Sequence, residues 1–204
     1  MSPAYWSQAT AELASRDPVL ESLIRRYEGS VLQSRGSAFV TLARSIVGQQ
    51  LSVSAARSIW QRLYAGVGEI NPEVIATVES ARLRAHGLSQ RKTDYLTGLA
   101  RRFVDGSFDE TRWLQSTDED ILAELSTVKG IGRWTGEMFL MFCLLRPNVL
   151  PLDDVGLQRA MRLHYNHGKP LSRLRIRRIT RQWHPWCTVA TWFMWRSLDA
   201  DNDS

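Results

Sequence analysis

The chain of 204 residues is 44% apolar and carries a formal net charge of +5, a composition that suits one well-buried soluble domain or two small lobes. It contains no uninterrupted apolar run near the length of a membrane span, and Met1-Ser2-Pro3-Ala4-Tyr5-Trp6 lacks the basic and apolar regions of a secretory leader, so a cytoplasmic protein is expected. Cys143 and Cys187 stand alone in apolar surroundings, which excludes a four-thiolate cluster and reads as buried thiols rather than a disulfide, a metal site or a nucleophile.

In chain order, residues 3–28 read as one or two short helices broken around Asp17-Pro18, with Leu20, Leu23, Ile24 and Tyr27 on one apolar face. Phe39, Leu42, Ala43, Ile46 and Val47 have the spacing of a core-facing helix that ends at Gly48-Gln49-Gln50. Ser52 then caps a helix with Ala56, Ile59, Trp60 and Leu63 on its buried side. Asn71-Pro72 and Glu79-Ser80 start two short helices, and His86-Gly87-Leu88-Ser89 ends the second while capping a longer one along which Tyr95, Leu99 and Phe103 share a face. Thr117 caps the helix carrying Ile121, Leu122 and Leu125.

At Val128-Lys129-Gly130-Ile131-Gly132-Arg133-Trp134, two glycines flank one apolar residue, a pattern that allows a sharp turn and close approach to the backbone amides. Met138, Phe139 and Phe142 follow at helical spacing, so the reading is helix, hairpin, helix, the second helix beginning near Ile131. Its free N–H groups and positive dipole end then face out of the turn, where a phosphate oxygen fits; an ordinary helix–helix turn is the alternative. A pair of carboxylates, Asp153-Asp154, follows in Leu150-Pro151-Leu152-Asp153-Asp154-Val155-Gly156-Leu157, with Asp154 lying 22 positions beyond Gly132. Either Asp can cap the helix that runs on through Arg162. His164 and His167 are placed in a loop after it, without a third ligand for a metal. The last helix, Pro185 to Leu198, carries Trp186, Trp192, Phe193 and Trp195.

Nothing reads as a strand, so the fold class is all-α. Charge is unevenly placed: from Val155 to Leu198 there is no Asp or Glu, while Arg159, Arg162, Lys169, Arg173, Arg175, Arg177, Arg178, Arg181 and Arg196 fall there, a patch suited to a polyanion.

From about Phe39 to Trp195 the chain resembles the helix-hairpin-helix DNA glycosylases, and within them the AlkA-like 3-methyladenine DNA glycosylase II branch, on Gly130-Ile131-Gly132-Arg133-Trp134-Thr135 and Pro151-Leu152-Asp153-Asp154. Two further matches are Val47-Gly48-Gln49-Gln50-Leu51-Ser52 and Gly87-Leu88-Ser89-Gln90-Arg91-Lys92 with Tyr95-Leu96, the latter assigned structural work, with a DNA contact by Arg91 or Lys92 as the alternative. The resemblance implies two helical lobes, one of about residues 36–134 and the other of residues 1–35 with 135–204, and a DNA- and base-binding cleft between them. The branch often carries an extra N-terminal domain, for which too few residues precede Phe39.

The resemblance also implies roles. Asp154 is the catalytic carboxylate, a choice over Asp153 that the chemistry alone leaves open. Trp134 and Trp195 form the surface for the base, with Met138 where some relatives have a pocket tyrosine. Gln50 is the residue inserted into the gap left by the flipped nucleotide, with Leu51 the apolar alternative. Lys129, Gly130, Ile131, Gly132 and Arg133 hold phosphate. Strand-cleaving relatives have a lysine two residues after the second glycine, where this chain has Trp134, so a monofunctional enzyme is expected; it is also expected to be a monomer. It needs no cofactor and acts on alkylated purines in double-stranded DNA, with nucleoid association when bound. The rivals are a non-catalytic hairpin module that merely holds DNA, a glycosylase for mismatched thymine or uracil, a bifunctional lyase, and a helical scaffold for an acidic protein.

Overall fold

Four of the expected helix starts are built by their own side chains. Ser52 Oγ accepts from Ala55 N–H at 3.3 Å, Asn71 Oδ1 from Val74 N–H at 2.8 Å, Ser89 Oγ from Lys92 N–H at 3.3 Å and Thr117 Oγ1 from Asp120 N–H at 3.2 Å. Each such cap is worth about 1 kcal/mol. The computed structural model describes residues 3–199, which form helices and connecting turns with no strand. The fold is all-α, and among the described residues no helix is long and apolar enough to cross a membrane.

The chain divides into two units, one made of the residues up to Ser34 together with those from Leu140 on, the other of Arg35–Phe139. The discontinuous unit holds α1 (Trp6–Arg16), α2 (Pro18–Arg26), α11 (Val155–Asn166), α12 (Arg173–Thr180), a 3-10 turn (Arg181–Trp183) and α13 (Cys187–Asp199). Its hub is the buried carboxylate of Asp17. Oδ1 caps α2 by accepting from the N–H groups of Val19 and Leu20, and Oδ2 accepts from Tyr165 Oη at 2.6 Å, Gln182 Nε2 at 2.7 Å and Trp183 Nε1 at 3.1 Å. A buried carboxylate is tolerated only when satisfied in this way. Trp6, Trp192 and Phe193 pack nearby in edge-on and tilted contacts 5.0 to 5.8 Å apart, joining α1 to α13.

The contiguous unit holds α3 (Ala38–Gly48), α4 (Val53–Val67), α5 (Pro72–Thr77), α6 (Ser80–Ala85), α7 (Gln90–Val104), α8 (Glu110–Gln115), α9 (Asp118–Ser126) and most of α10 (Arg133–Phe142). Phe39, Phe103, Phe108, Trp113 and Phe139 form its aromatic centre, with ring centroids 5.2 to 5.9 Å apart. Trp113 is fully enclosed yet satisfied, because Nε1 donates to Glu124 Oε2 at 2.8 Å.

Several expectations need correction. The helix after the hairpin begins at Arg133 rather than near Ile131, and the last helix at Cys187 rather than Pro185. His164 is helical, because α11 runs to Asn166; its Nε2 is 2.8 Å from Ser197 Oγ, and His167 is the left-handed residue that ends the helix. Cys143 is only half-buried, whereas burial pushes the Cys187 thiol up to about 12. On α4 Leu63 is enclosed, but Ala56, Ile59 and Trp60 are half-buried.

Candidate active site and nucleic-acid interface

The hairpin is a tight turn pinned by two apolar side chains. Val128 and Ile131 are buried, and backbone bonds from Val128 N–H to Leu125 O and from Ile131 N–H to Val128 O fold the segment back on itself. The two glycines do different work. Gly130 has φ +94, and a Cβ there would lie 2.1 Å from Cδ2 of Tyr95, so the ring lies directly under the turn. At Gly132 neither reason applies: a Cβ would meet nothing within 4 Å and φ is ordinary. Gly132 and Lys129 are exposed at the start of α10, whose first-turn N–H groups have no acceptor within the helix.

Arg133, the last of the hairpin residues expected to hold phosphate, is exposed and pairs with two carboxylates. Its guanidinium donates to Glu119 through Nη1 at 3.1 Å and Nη2 at 2.7 Å, and through Nε to Glu137 Oε1 at 3.1 Å. It clamps the first turn of α9 to that of α10, and the hydrogen bonds to it hold the Glu119 carboxyl below its ordinary range. Its signal was the Glu119 carboxylate, 14 positions away, which helical spacing cannot reveal. On α10, Trp134 is 46% exposed and Met138 is buried; Trp134, Met138 and Phe142 recur every four residues along one face.

Gln50 and Leu51 form the turn after α3. Gln50 is exposed with φ +58, a left-handed conformation costing a non-glycine residue roughly 1–2 kcal/mol, and Leu51 is 39% exposed. The turn closes through Gln49 N–H to Ile46 O and Leu51 N–H to Gly48 O. An exposed apolar side chain beside a strained polar one is a poor choice for stability alone.

The two carboxylates separate clearly. Asp153 is exposed and paired with Arg173 Nη2 at 2.6 Å. Asp154 is half-buried and is the N-cap of α11: Oδ1 accepts from Leu157 N–H at 2.6 Å and from Trp195 Nε1 at 2.8 Å. Trp195 in turn stacks on Phe142 at 5.9 Å and 15°. The space at Gly156, between the carboxylate and Leu157, is tight: a Cβ there would stand 3.1 Å from Asp154 Oδ1 and 3.2 Å from the indole, so both would have to shift by a few tenths of an ångström. The loop before it is fixed by Asp154 N–H to Pro151 O and by Gln158 Nε2 to Leu152 O at 2.8 Å. A carboxylate whose oxygen holds two donors cannot rotate freely, so its position relative to a substrate is set in advance. Among the described residues no group of three or more His, Cys, Asp or Glu is arranged to hold a metal ion.

An all-helical chain with a buried-plug Gly-x-Gly hairpin and an indole-braced aspartate capping a later helix has the parts of a helix-hairpin-helix base-excision protein. Residues 43–185 match the HhH-GPD superfamily base excision DNA repair protein family, and the chain belongs to that family. Among solved structures, it is similar to the DNA-3-methyladenine glycosidase of Bacillus halodurans, with 31% identity and a TM-score of 0.86 over 100% of this chain and 94% of that one. The 3-methyladenine DNA glycosylase of Schizosaccharomyces pombe in complex with abasic DNA gives 27% identity and a TM-score of 0.81, covering 93% and 95% of the two chains. The DNA-3-methyladenine glycosylase of Bacillus subtilis is 27% identical over 92% of this chain; the chain spans 66% of that relative's length.

Proposed function

We propose that this chain is a monofunctional DNA glycosylase that flips alkylated purines, 3-methyladenine and 7-methylguanine first, out of duplex DNA and hydrolyses their N-glycosidic bond. The observation that carries the reading is Asp154, held half-buried by Leu157 N–H and Trp195 Nε1. Loss of the base leaves oxocarbenium character on the sugar, and a carboxylate about 4 Å away stabilises it by roughly 4 kcal/mol at an effective dielectric of 20. Asp154 does this and orients the attacking water. Asp153, drawn to Arg173, does not.

Flipping costs a few kcal/mol. Gln50, with Leu51 beside it, offsets that cost by filling the vacated space, while the hairpin at Lys129, Gly130, Ile131, Gly132 and Arg133 holds the phosphate backbone, the exposed Arg133 side chain also bridging α9 and α10. Trp134 and Trp195 offer indole faces that attract a cationic base by about 0.5–2 kcal/mol. A cationic alkylpurine departs as a neutral molecule and so needs little protonation, whereas uracil gains neither advantage. The chain acts as a cytoplasmic monomer on double-stranded DNA, and Trp134 in place of a lysine leaves the strand uncut. Single-turnover release from matched duplexes tests the reading: 7-methylguanine is freed faster than uracil, and the reverse order would overturn it.

A further inference from the structure

The turn carrying Gln50 and Leu51 and the phosphate hairpin are tied together by groups that none of these roles uses. Lys92, in the first turn of α7, donates its ammonium to Val47 O at 2.7 Å and to Gln49 O at 2.8 Å. These are carbonyls at the C-terminal end of α3, where a helix leaves acceptors without partners and a cation is favoured. Gln49 then donates its side-chain Nε2 across to Gly130 O at 2.6 Å. Three residues along α7 from Lys92, on the same face, the Tyr95 ring lies under Gly130. The ring of contacts is therefore closed: Lys92 to Gln49, Gln49 to Gly130, Gly130 to Tyr95, and back along α7 to Lys92.

We infer that Lys92 and Gln49 are positioning residues that lock the Gln50–Leu51 turn to the hairpin, so that a hairpin seated on the DNA backbone presents the wedge already set for insertion. The geometry assigns Lys92 to the protein's own carbonyls. Its partial burial lowers the ammonium's pKa, a desolvation cost that a merely solvent-facing lysine would not meet. Strain at Gln50 points the same way, because a left-handed glutamine persists only where its neighbours hold it. Without the lock the turn is free to relax, and insertion must recover the ordering entropy during flipping.

The inference rests on the wedge role proposed above, and the test separates the two. Release of 7-methylguanine is measured under single turnover from a duplex in which the lesion is paired and from one in which it sits in a single-nucleotide bulge, already unpaired. Duplex affinity is measured alongside. Gln49→Leu, which loses one hydrogen bond, and Lys92→Met, which loses two, are each expected to slow release from the paired duplex about tenfold or more, with the bulge and the affinity nearly unchanged. The double variant should be no slower than the slower single, because both remove one lock. Lys92→Arg, which keeps the donors, should restore part of the rate. If Lys92→Met does not fold, Gln49→Leu carries the test alone, since it removes only the amide bond to Gly130. Equal losses on paired and bulged substrates, or additive losses in the double variant, would overturn the inference. Wild-type release by both Gln50→Ala and Leu51→Ala would remove the wedge role itself, whereas slow release by either beside fast release by Lys92→Met and Gln49→Leu would remove only the lock.

Discussion

Trp195 Nε1 and the N–H of Leu157 both donate to the same oxygen of Asp154, at 2.8 and 2.6 Å, so the indole and the start of α11 hold one carboxylate atom between them. Asp154→Asn is consequently a clean test. Asparagine caps a helix as well as aspartate does, so stability should change little while the charge is lost. Base release should fall at least about a hundredfold, with duplex binding unchanged or tighter, because a repulsive charge near the phosphates is gone. Asp153→Asn should cost little beyond its exposed pair with Arg173. Equal losses from the two changes would remove the assignment.

Trp195→Phe keeps an aromatic ring against Phe142 but removes the N–H donor. A hydrogen bond to a charged group is worth about 1.5–3 kcal/mol, so release should slow roughly tenfold or more. Trp195→Ala removes the ring as well, and should also narrow the preference for cationic lesions over neutral ones. Paired single-turnover rates on 7-methylguanine and uracil duplexes read both effects, and an unchanged ratio in Trp195→Ala would count against a base-stacking role.

The hairpin glycines call for different expectations. Gly130→Val should destabilise the protein, because φ is +94 and the Tyr95 ring occupies the space. Gly132→Val has open space and ordinary φ, so the fold should survive while affinity for any duplex falls about tenfold and loses part of its salt dependence. Titrations at two salt concentrations beside a melting curve decide this. A folded Gly132→Val with wild-type affinity would dismiss the phosphate contact.

Reaction products should remain intact strands until treated with alkali, since Trp134 stands where a lysine would form a Schiff base. Borohydride trapping of a covalent protein–DNA adduct would contradict this.

Stability should fall at alkaline pH through Tyr165. Burial first, then the charge of Asp17, raises its hydroxyl well above the ordinary value of 10.0. The folded protein keeps that proton where the unfolded chain loses it, so the contribution is whole below pH 10.0 and erodes as pH rises beyond it. Tyr165→Phe should cost about 1–3 kcal/mol at neutral pH, since Asp17 Oδ2 loses a donor, and should show a shallower alkaline decline. Burial raises Tyr5 to about 12, so it contributes over the same window and remains in the variant. Urea midpoints at about pH 8 and about pH 11 measure the difference.

Local signals read well from the sequence. Ser52, Asn71, Ser89 and Thr117 cap the helices they precede, because a polar side chain before an apolar period has a nearby N–H to satisfy. The hairpin was legible from Gly130 and Gly132 set around one apolar residue between two apolar periods. What escaped were α12, whose Arg-rich sequence buries only Ile176 and Thr180 and so lacks an apolar period, and every long-range polar partner. Arg133 pairs with Glu119 across 14 positions, and Lys92, read as structural, finds its acceptors at Val47 O and Gln49 O, 45 and 43 positions away. Asp153 and Asp154 are indistinguishable as letters; the indole of Trp195, 41 positions from Asp154, separates them.

The Asp17 hub bears on how the chain comes off the ribosome. Asp17 waits for Tyr165, 148 positions later, and for Gln182 and Trp183 beyond it. The residues of the contiguous unit are all synthesised before those partners exist, so that unit has its complete sequence while α1 and α2 still lack the surface that covers Trp6, Leu13 and Leu20. Helices α1 and α2, made before the rest of this fold, are therefore among its last to be buried, and until α13 emerges their apolar faces are what a nascent-chain chaperone would find to hold.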